Sequence, residues 1–298
     1  MEKQAGWTWN QKLHFKKISA NATKPNEVGG NHVFPIIAGA VIKEGKSIPK
    51  SLINTMLDFG KKGYTHGTII PLHIDYSDKM DVGIVPIDLM MRELEKARFI
   101  AILNTCICRT SFDCKEHPKD LGCIFLNAAG EQVVGIGLAR QATVEEAKQH
   151  ILWARKEGLM GCAEFVQGEQ LVWGLKNTTM HEFRMFCFCC SCCCLALKVL
   201  KGGNEETRAR YVSCGYTSTI NHLKCVGCHS CATVCPQGAI SYRKDIKAVV
   251  NQETCMGCGW CTLECKNDAI CVKQTFPMRK TLNEYFLKEA RIDDRSEH

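Results

Sequence analysis

Apolar residues recur at helical spacing in three stretches of the chain, with short unbroken apolar runs between them. Leu52, Ile53, Met56 and Leu57, preceded by Ser47 and Pro49 and followed by Gly60 and Gly63, predict a helix starting at Ile48. Pro86 to about Ala97 predicts a second, with Leu89, Met90 and Leu94 facing inward. Residues 99–103 (Phe-Ile-Ala-Ile-Leu) read as a short strand that delivers the chain to Cys106; residues 132–138 and 170–175 read as two more. Thr143 and Glu146 form a capping box, each able to satisfy the other's free backbone amide. The helix it opens buries Ala147, Ile151 and Ala154, and Gly158 ends it.

The organisation changes along the chain. Residues 1–30 are polar and Gly/Asn-rich, an irregular lead-in, and residues 201–206 (Lys-Gly-Gly-Asn-Glu-Glu) have linker composition. Residues 211–275 contain an internal repeat about 30 residues long, in which Cys225–Ile240 matches Cys255–Ile270 almost position for position. The tail, 276–298, is charged, with a short helix expected around 282–287.

Composition sharpens this picture at one residue type. The 298 residues, 45% hydrophobic and 23% charged, suffice for about two domains with real cores. They include 21 cysteines, an odd number, and the N-terminus shows no apolar leader, so a secreted disulfide framework is not expected. In a cytoplasmic, reducing setting such cysteines are metal ligands or redox groups. The run 185–197, nearly apolar and rich in cysteine, is too short for a membrane span. The formal net charge is +7 with every cysteine neutral. A cluster core held by four thiolates carries about −2, so three or four of them bring the chain near neutrality, and no nucleic-acid partner is inferred.

The repeat reads Cys225-x2-Cys228-x2-Cys231-x3-Cys235-Pro236, then Cys255-x2-Cys258-x2-Cys261-x3-Cys265. This is the bacterial-type ferredoxin spacing, in which the fourth cysteine of each run ligates the other run's [4Fe–4S] cluster. Cys225, Cys228, Cys231 and Cys265 are expected to hold one cluster, and Cys255, Cys258, Cys261 and Cys235 the other. Gly227 and Gly257 relieve the tight loops. Lys266 replaces the usual proline of the second run, and His229 is read as a solvated loop residue.

Two further cysteine sets precede the repeat. Cys106-x-Cys108-Arg109-x5-Cys114-x8-Cys123 suits one additional cluster or metal, with Arg109 placed to offset its charge. Cys187, Cys189, Cys190, Cys192, Cys193 and Cys194 follow within eight residues. Cys187, Cys190 and Cys193 reproduce the C-x2-C-x2-C arc of a ferredoxin loop, while Cys189 and Cys192 complete the earlier set, bind a second group or stay free. Cys162 and Cys214 are candidate missing ligands.

With the Cys106-Ile107-Cys108-Arg109 run, Cys114, Cys123 and the 187–194 cluster upstream of a paired ferredoxin repeat, the chain resembles a family of anaerobe 4Fe–4S ferredoxin-type proteins from about Phe34 to Cys271. The resemblance implies a redox protein of anaerobic metabolism with three or more clusters: two C-terminal and one or two N-terminal. The expected fold class is α+β, with a mixed cysteine-rich domain over 1–200, a linker over 201–210, a small 2[4Fe–4S] ferredoxin domain over 211–275 and the tail 276–298.

Gly135-x-Gly137-x-x-Arg140 lacks the third glycine of a dinucleotide fingerprint, and neither a phosphate-binding P-loop nor an H-E-x-x-H pair occurs. His66 and His73 read as surface or loop residues. The expected function is an electron-transfer protein or electron-relay subunit of an anaerobic oxidoreductase, more an electron-transfer component than a stand-alone catalyst. Its partner would be a ferredoxin-like protein, a flavoprotein or a metalloenzyme subunit. The alternative is a reductase whose N-terminal cluster binds a small substrate directly, with Arg109, Lys176 or His181 contacting it.

Overall fold

The computed structural model describes residues 65–72, 86–166, 173, 183–243, 246–282 and 284–285. The helix expected from Ile48, together with His73, Lys176 and His181, lies outside them. The described residues combine helices and strands, as the α+β expectation requires.

A seven-stranded sheet carries the N-terminal part, in the order β4-β2-β3-β6-β5-β1-β7. Its strands are β1 (Thr65–Ile70), β2 (Ile100–Leu103), β3 (Ile124–Leu126), β4 (Ala139–Gln141), β5 (Met160–Val166), β6 (Arg184–Cys189) and β7 (Tyr211–Ser213). All neighbours are antiparallel except β1 and β7. Helices α1 (Pro86–Lys96) and α4 (Val144–Lys156) supply Leu89, Met90, Leu94, Ala147, Ile151 and Ala154 to the core, where they meet Phe125 and Phe186. Trp173, the sole described residue of the expected 170–175 strand, is helical and buried, with its ring edge-on to Phe125 at 5.2 Å.

The capping box forms as expected: Glu146 N donates to Thr143 Oγ1 at 3.2 Å, and Thr143 N donates to Glu146 Oε2 at 2.8 Å. At the other end, Gly158 (φ +69) permits the paired return bonds Gly158 N to Arg155 O and Leu159 N to Ala154 O, both 3.0 Å.

The 132–138 strand is not formed. Asn127–Gly135 is a helix, α3, with Ala129 and Val133 buried one turn apart. Gly137 (φ +73) closes it with the same motif, Gly137 N to Val134 O at 2.8 Å and Leu138 N to Val133 O at 3.0 Å. The glycine read as part of a strand is therefore a helix stop, and only Ala139–Gln141 continues as a strand.

Between β6 and β7 run two short helices, α5 (Leu195–Gly202) and α6 (Glu205–Ala209), so the linker stretch is largely helical. The C-terminal unit has two two-stranded ribbons, β8 (Tyr216–Ile220) with β11 (Ile270–Gln274) and β9 (Ile240–Arg243) with β10 (Ile246–Val250). Of the tail, Leu282 is buried and Tyr285 donates to the Cys214 carbonyl at 2.9 Å. Among the described residues no helix is long and apolar enough to cross a membrane.

Candidate metal centres

The two cysteine runs fold alike. Each passes through a tight loop into a short helix, α7 (Ser230–Val234) or α8 (Trp260–Leu263). Gly227 and Gly257 adopt φ of +71° and +72°, and the residues capping the helices, His229 and Gly259, are also left-handed. Cys225, Cys228, Cys231 and Cys265 line one cavity, so the crossing ligand does reach the first run's thiols. Cys258 in turn has Cys261, Cys235 and Cys255 as its electrostatic neighbours.

Backbone amides are aimed at the sulfurs with matching geometry. Ala239 N donates to Cys235 Sγ and Ala269 N to Cys265 Sγ, both at 3.3 Å, while Ser218 N donates to Cys255 Sγ at 3.4 Å. Such donors stabilise thiolates, the ligand form. These donor sets fit the two clusters. The Cys225–Cys231 loop lies at the surface, where Cys228 and Val226 are exposed, whereas Cys258 and Cys261 are buried. His229 is exposed but not free: its ring stacks on Tyr242 at 3.7 Å, and the Tyr242 hydroxyl lies 3.1 Å from Cys231 Sγ. The amide and hydroxyl of Ser230, with a smaller contribution from Lys266, hold Cys228 below the ordinary thiol value.

The N-terminal cysteines are brought together, but not in the sets their spacing suggests. Strand alternation decides the grouping. Cys187 and Cys189 lie two apart on β6 and so share a face; Cys187 is opposite Cys162 on β5, and Met160 is opposite Cys189. Cys123, just before β3, places its Sγ 3.3 Å from that of Cys187. Two residues along β5 from Cys162, Glu164 reaches the same group, its Oε1 accepting from Cys162 at 3.3 Å and its Oε2 from Cys187 at 3.7 Å. From Cys187 the run of thiol contacts continues through Cys189 and Cys194 (3.1 Å) to Cys108 and Cys106. Amides join here too: Leu195 N donates to Cys108 Sγ at 3.3 Å and Arg109 N to Cys106 Sγ at 3.5 Å.

Cys114, Cys190, Cys192 and Cys193 form a separate group, with all four sulfurs within 4.8 Å of one another. The C-x2-C-x2-C arc of Cys187, Cys190 and Cys193 is thus divided, because Cys187 belongs to a strand and the other two to the turn that follows it. Cys114 likewise parts from Cys106, Cys108 and Cys123. Cys192, which the arc left over, is a member of the tight group. Cys214 is a core residue whose thiol is pushed up to about 12 by burial.

Glu164 is the site residue that spacing did not reveal. It is 4% exposed, the one buried acidic side chain among the described residues. Burial, partly offset by the Cys162 and Cys187 thiols, raises it to about 7. Its signal in the sequence was Cys162-x-Glu164, the two-residue alternation that Cys187-x-Cys189 also follows.

Arg109 is buried at the centre of these loops. Its Nε donates to Pro118 O and its Nη1 to Phe188 O, both at 2.8 Å, and its Nη2 donates to Leu121 O. The side chain expected to face the metal thus ties the turn before Cys123 to β6 by hydrogen bonds to carbonyls. Its charge still acts on Cys106, Cys190, Cys123 and Cys189. On the far side of the same turn, His150 Nε2 donates to Gly122 O at 2.7 Å.

The two thiol-lined centres of the C-terminal unit are of the iron–sulfur, ferredoxin type. Residues 224–269 match the family of 4Fe–4S dicluster domains. No curated protein and no solved structure matches the chain.

Proposed function

We propose that the protein is an electron-transfer component of an anaerobic oxidoreductase, in which the dicluster unit exchanges electrons with an N-terminal iron–sulfur centre. That centre would be held by the deep thiol run, Cys106, Cys108, Cys123, Cys187, Cys189 and Cys194, with Cys162 and Glu164 beside it. The observation that supports it is a shared apolar layer. Met256, Cys258 and Trp260 of the second ferredoxin loop pack in one buried cluster with Cys162, Cys189 and Cys194. The second ferredoxin loop and the N-terminal thiols therefore share one buried apolar layer, while the Cys225–Cys231 loop, with Val226 and Cys228 exposed, would meet a redox partner.

Clusters at these positions supply one-electron storage. The chain's own residues exclude water, fix the thiolates with amides and keep the two centres in one packed unit. Bonds to Cys123 and Cys189, together with burial, hold the Cys187 thiol far above its ordinary range, and a bound cation would offset the cost of ionising it.

Glu164 favours a second reading, a reductase whose N-terminal centre takes substrate directly. A carboxylate ligand is harder than a thiolate and exchanges more readily for another oxygen donor. A cavity lined by Arg208, Tyr211, Cys255 and Arg279 lies beside the dicluster unit; Glu164 is not in its lining, but Tyr211 stands in register with it across β1.

Stepwise reduction of the anaerobic protein, followed by electron paramagnetic resonance, tests the relay. A signal additional to the dicluster pair is expected, altered by magnetic interaction with it. Cys187→Ser should remove that signal and leave the pair. Identical spectra from the variant and the native chain would refute the proposal.

A further inference from the structure

The group Cys114, Cys190, Cys192 and Cys193 differs in scale from the other thiol sets of this protein. We propose that it binds a single tetrahedral metal ion of the zinc or ferrous type, and no iron–sulfur cluster. This deepens the N-terminal metal reading but does not depend on the deep thiol run carrying electrons.

A metal–thiolate bond of about 2.3 Å makes the edge of a four-thiolate tetrahedron about 3.8 Å. Cys114 Sγ and Cys192 Sγ are 3.7 Å apart, and all four sulfurs lie within 4.8 Å of one another. In a [4Fe–4S] cluster each cysteine binds a different iron, so its sulfurs stand off separate corners of the core and are spaced more widely. The protein provides its own comparison. Among the described residues neither ferredoxin quartet brings even three ligand atoms within 4.8 Å of one another. Nor does the deep run, where only pairs come this close, Cys123 with Cys187 at 3.3 Å and Cys189 with Cys194 at 3.1 Å.

The donor set agrees. Four thiolates with no histidine, carboxylate or open position make a closed, structural type of site. Its members come from two loops only. Cys114 follows α2 (Ile107–Ser111), in a turn closed by Cys114 N donating to Arg109 O at 2.9 Å. The adjacent Asp113 (φ +49) has its carboxylate held by Lys115 and Lys119, each at 2.6 Å. The other three occupy the turn after β6. An ion here would clamp these loops together, and the same loops carry Cys106 and Cys108 on one side and Cys194 on the other. The site would therefore be a clasp that holds ligands of the deeper centre in register.

The test uses the full chain, purified without oxygen and with its clusters in place. Zinc is supplied at one equivalent, excess is removed, and X-ray absorption is recorded at the zinc edge. About one zinc per chain is expected, with a first shell of four sulfurs near about 2.3 Å. Cys192→Ser, at an exposed position, should replace one sulfur by oxygen and weaken zinc retention at least tenfold, with acid-labile sulfide unchanged. If the chain arrives with iron in the site, the variant loses about one iron and no sulfide, and the isolated high-spin ferric signal that one-electron oxidation with ferricyanide raises in the native chain is missing from it. Loss of about four irons and four sulfides together from Cys192→Ser or Cys114→Ser would show a cluster and overturn the proposal. So would a zinc shell of nitrogen and oxygen, or failure of the native chain to retain zinc or iron at these residues. Sulfide content separates this failure from that of the relay, which is read from the Cys187→Ser spectrum.

Discussion

Replacing Gly257 by alanine is expected to abolish the second C-terminal cluster, lowering iron and sulfide by about four each per chain. Gly227→Ala, at the matching position of the first run, should leave both clusters in place. The two glycines have the same left-handed backbone, φ of +72° and +71°, so conformation alone predicts equal effects. Their surroundings differ. A Cβ on Gly257 would overlap the Tyr216 carbonyl oxygen, which is backbone and cannot yield without moving β8. A Cβ on Gly227 would meet nothing within 4 Å. The left-handed penalty for alanine is about 1–2 kcal/mol, tolerable at Gly227; the overlap at Gly257 displaces the Cys255–Cys258 turn itself. Iron and sulfide assays with visible absorption spectra check the pair. Equal losses from both variants would show that the Tyr216 contact is not the deciding feature.

Arg109→Ala should be the most damaging single change in the N-terminal half. It leaves the carbonyls of Pro118, Leu121 and Phe188 without their buried donor. At about 1–3 kcal/mol for each of the three unsatisfied groups, the loss is on the order of 3–9 kcal/mol, enough to release the turn that presents Cys123. The expected result is loss of the N-terminal metal while the dicluster spectrum persists. Arg109→Lys keeps the charge but cannot serve three divergent acceptors with one ammonium, so it should recover only part of the metal content. Full recovery with lysine would mean that charge, rather than the hydrogen-bonded fork, is what the site requires.

The parts of this protein that were legible in its sequence are those fixed by local chemistry. The Thr143 capping box, the Gly158 stop and the apolar helix faces all depend on residues within a turn or two of one another. The ferredoxin runs are legible for the same reason, since C-x2-C-x2-C folds around its ligand set locally and only the fourth cysteine must cross. The 132–138 segment is ambiguous in sequence because Val133, Val134, Ile136 and Leu138 satisfy both periods, and Gly137 decides the matter only as a helix stop. The N-terminal grouping could not be read from spacing because it is set by strand pairing. Cys162 opposite Cys187, and Cys123 beside Cys187, are contacts across a sheet. Glu164 is faint for the same reason: the Cys162-x-Glu164 alternation acquires meaning only when β5 and β6 bring two thiols to its oxygens.

The measurement that bears most directly on the central claim is the iron and acid-labile sulfide content of the anaerobically purified chain. An N-terminal iron–sulfur centre joined to the dicluster unit predicts about twelve of each, with one additional metal ion at the Cys114 group. About eight of each, the content of the dicluster unit alone, would contradict it.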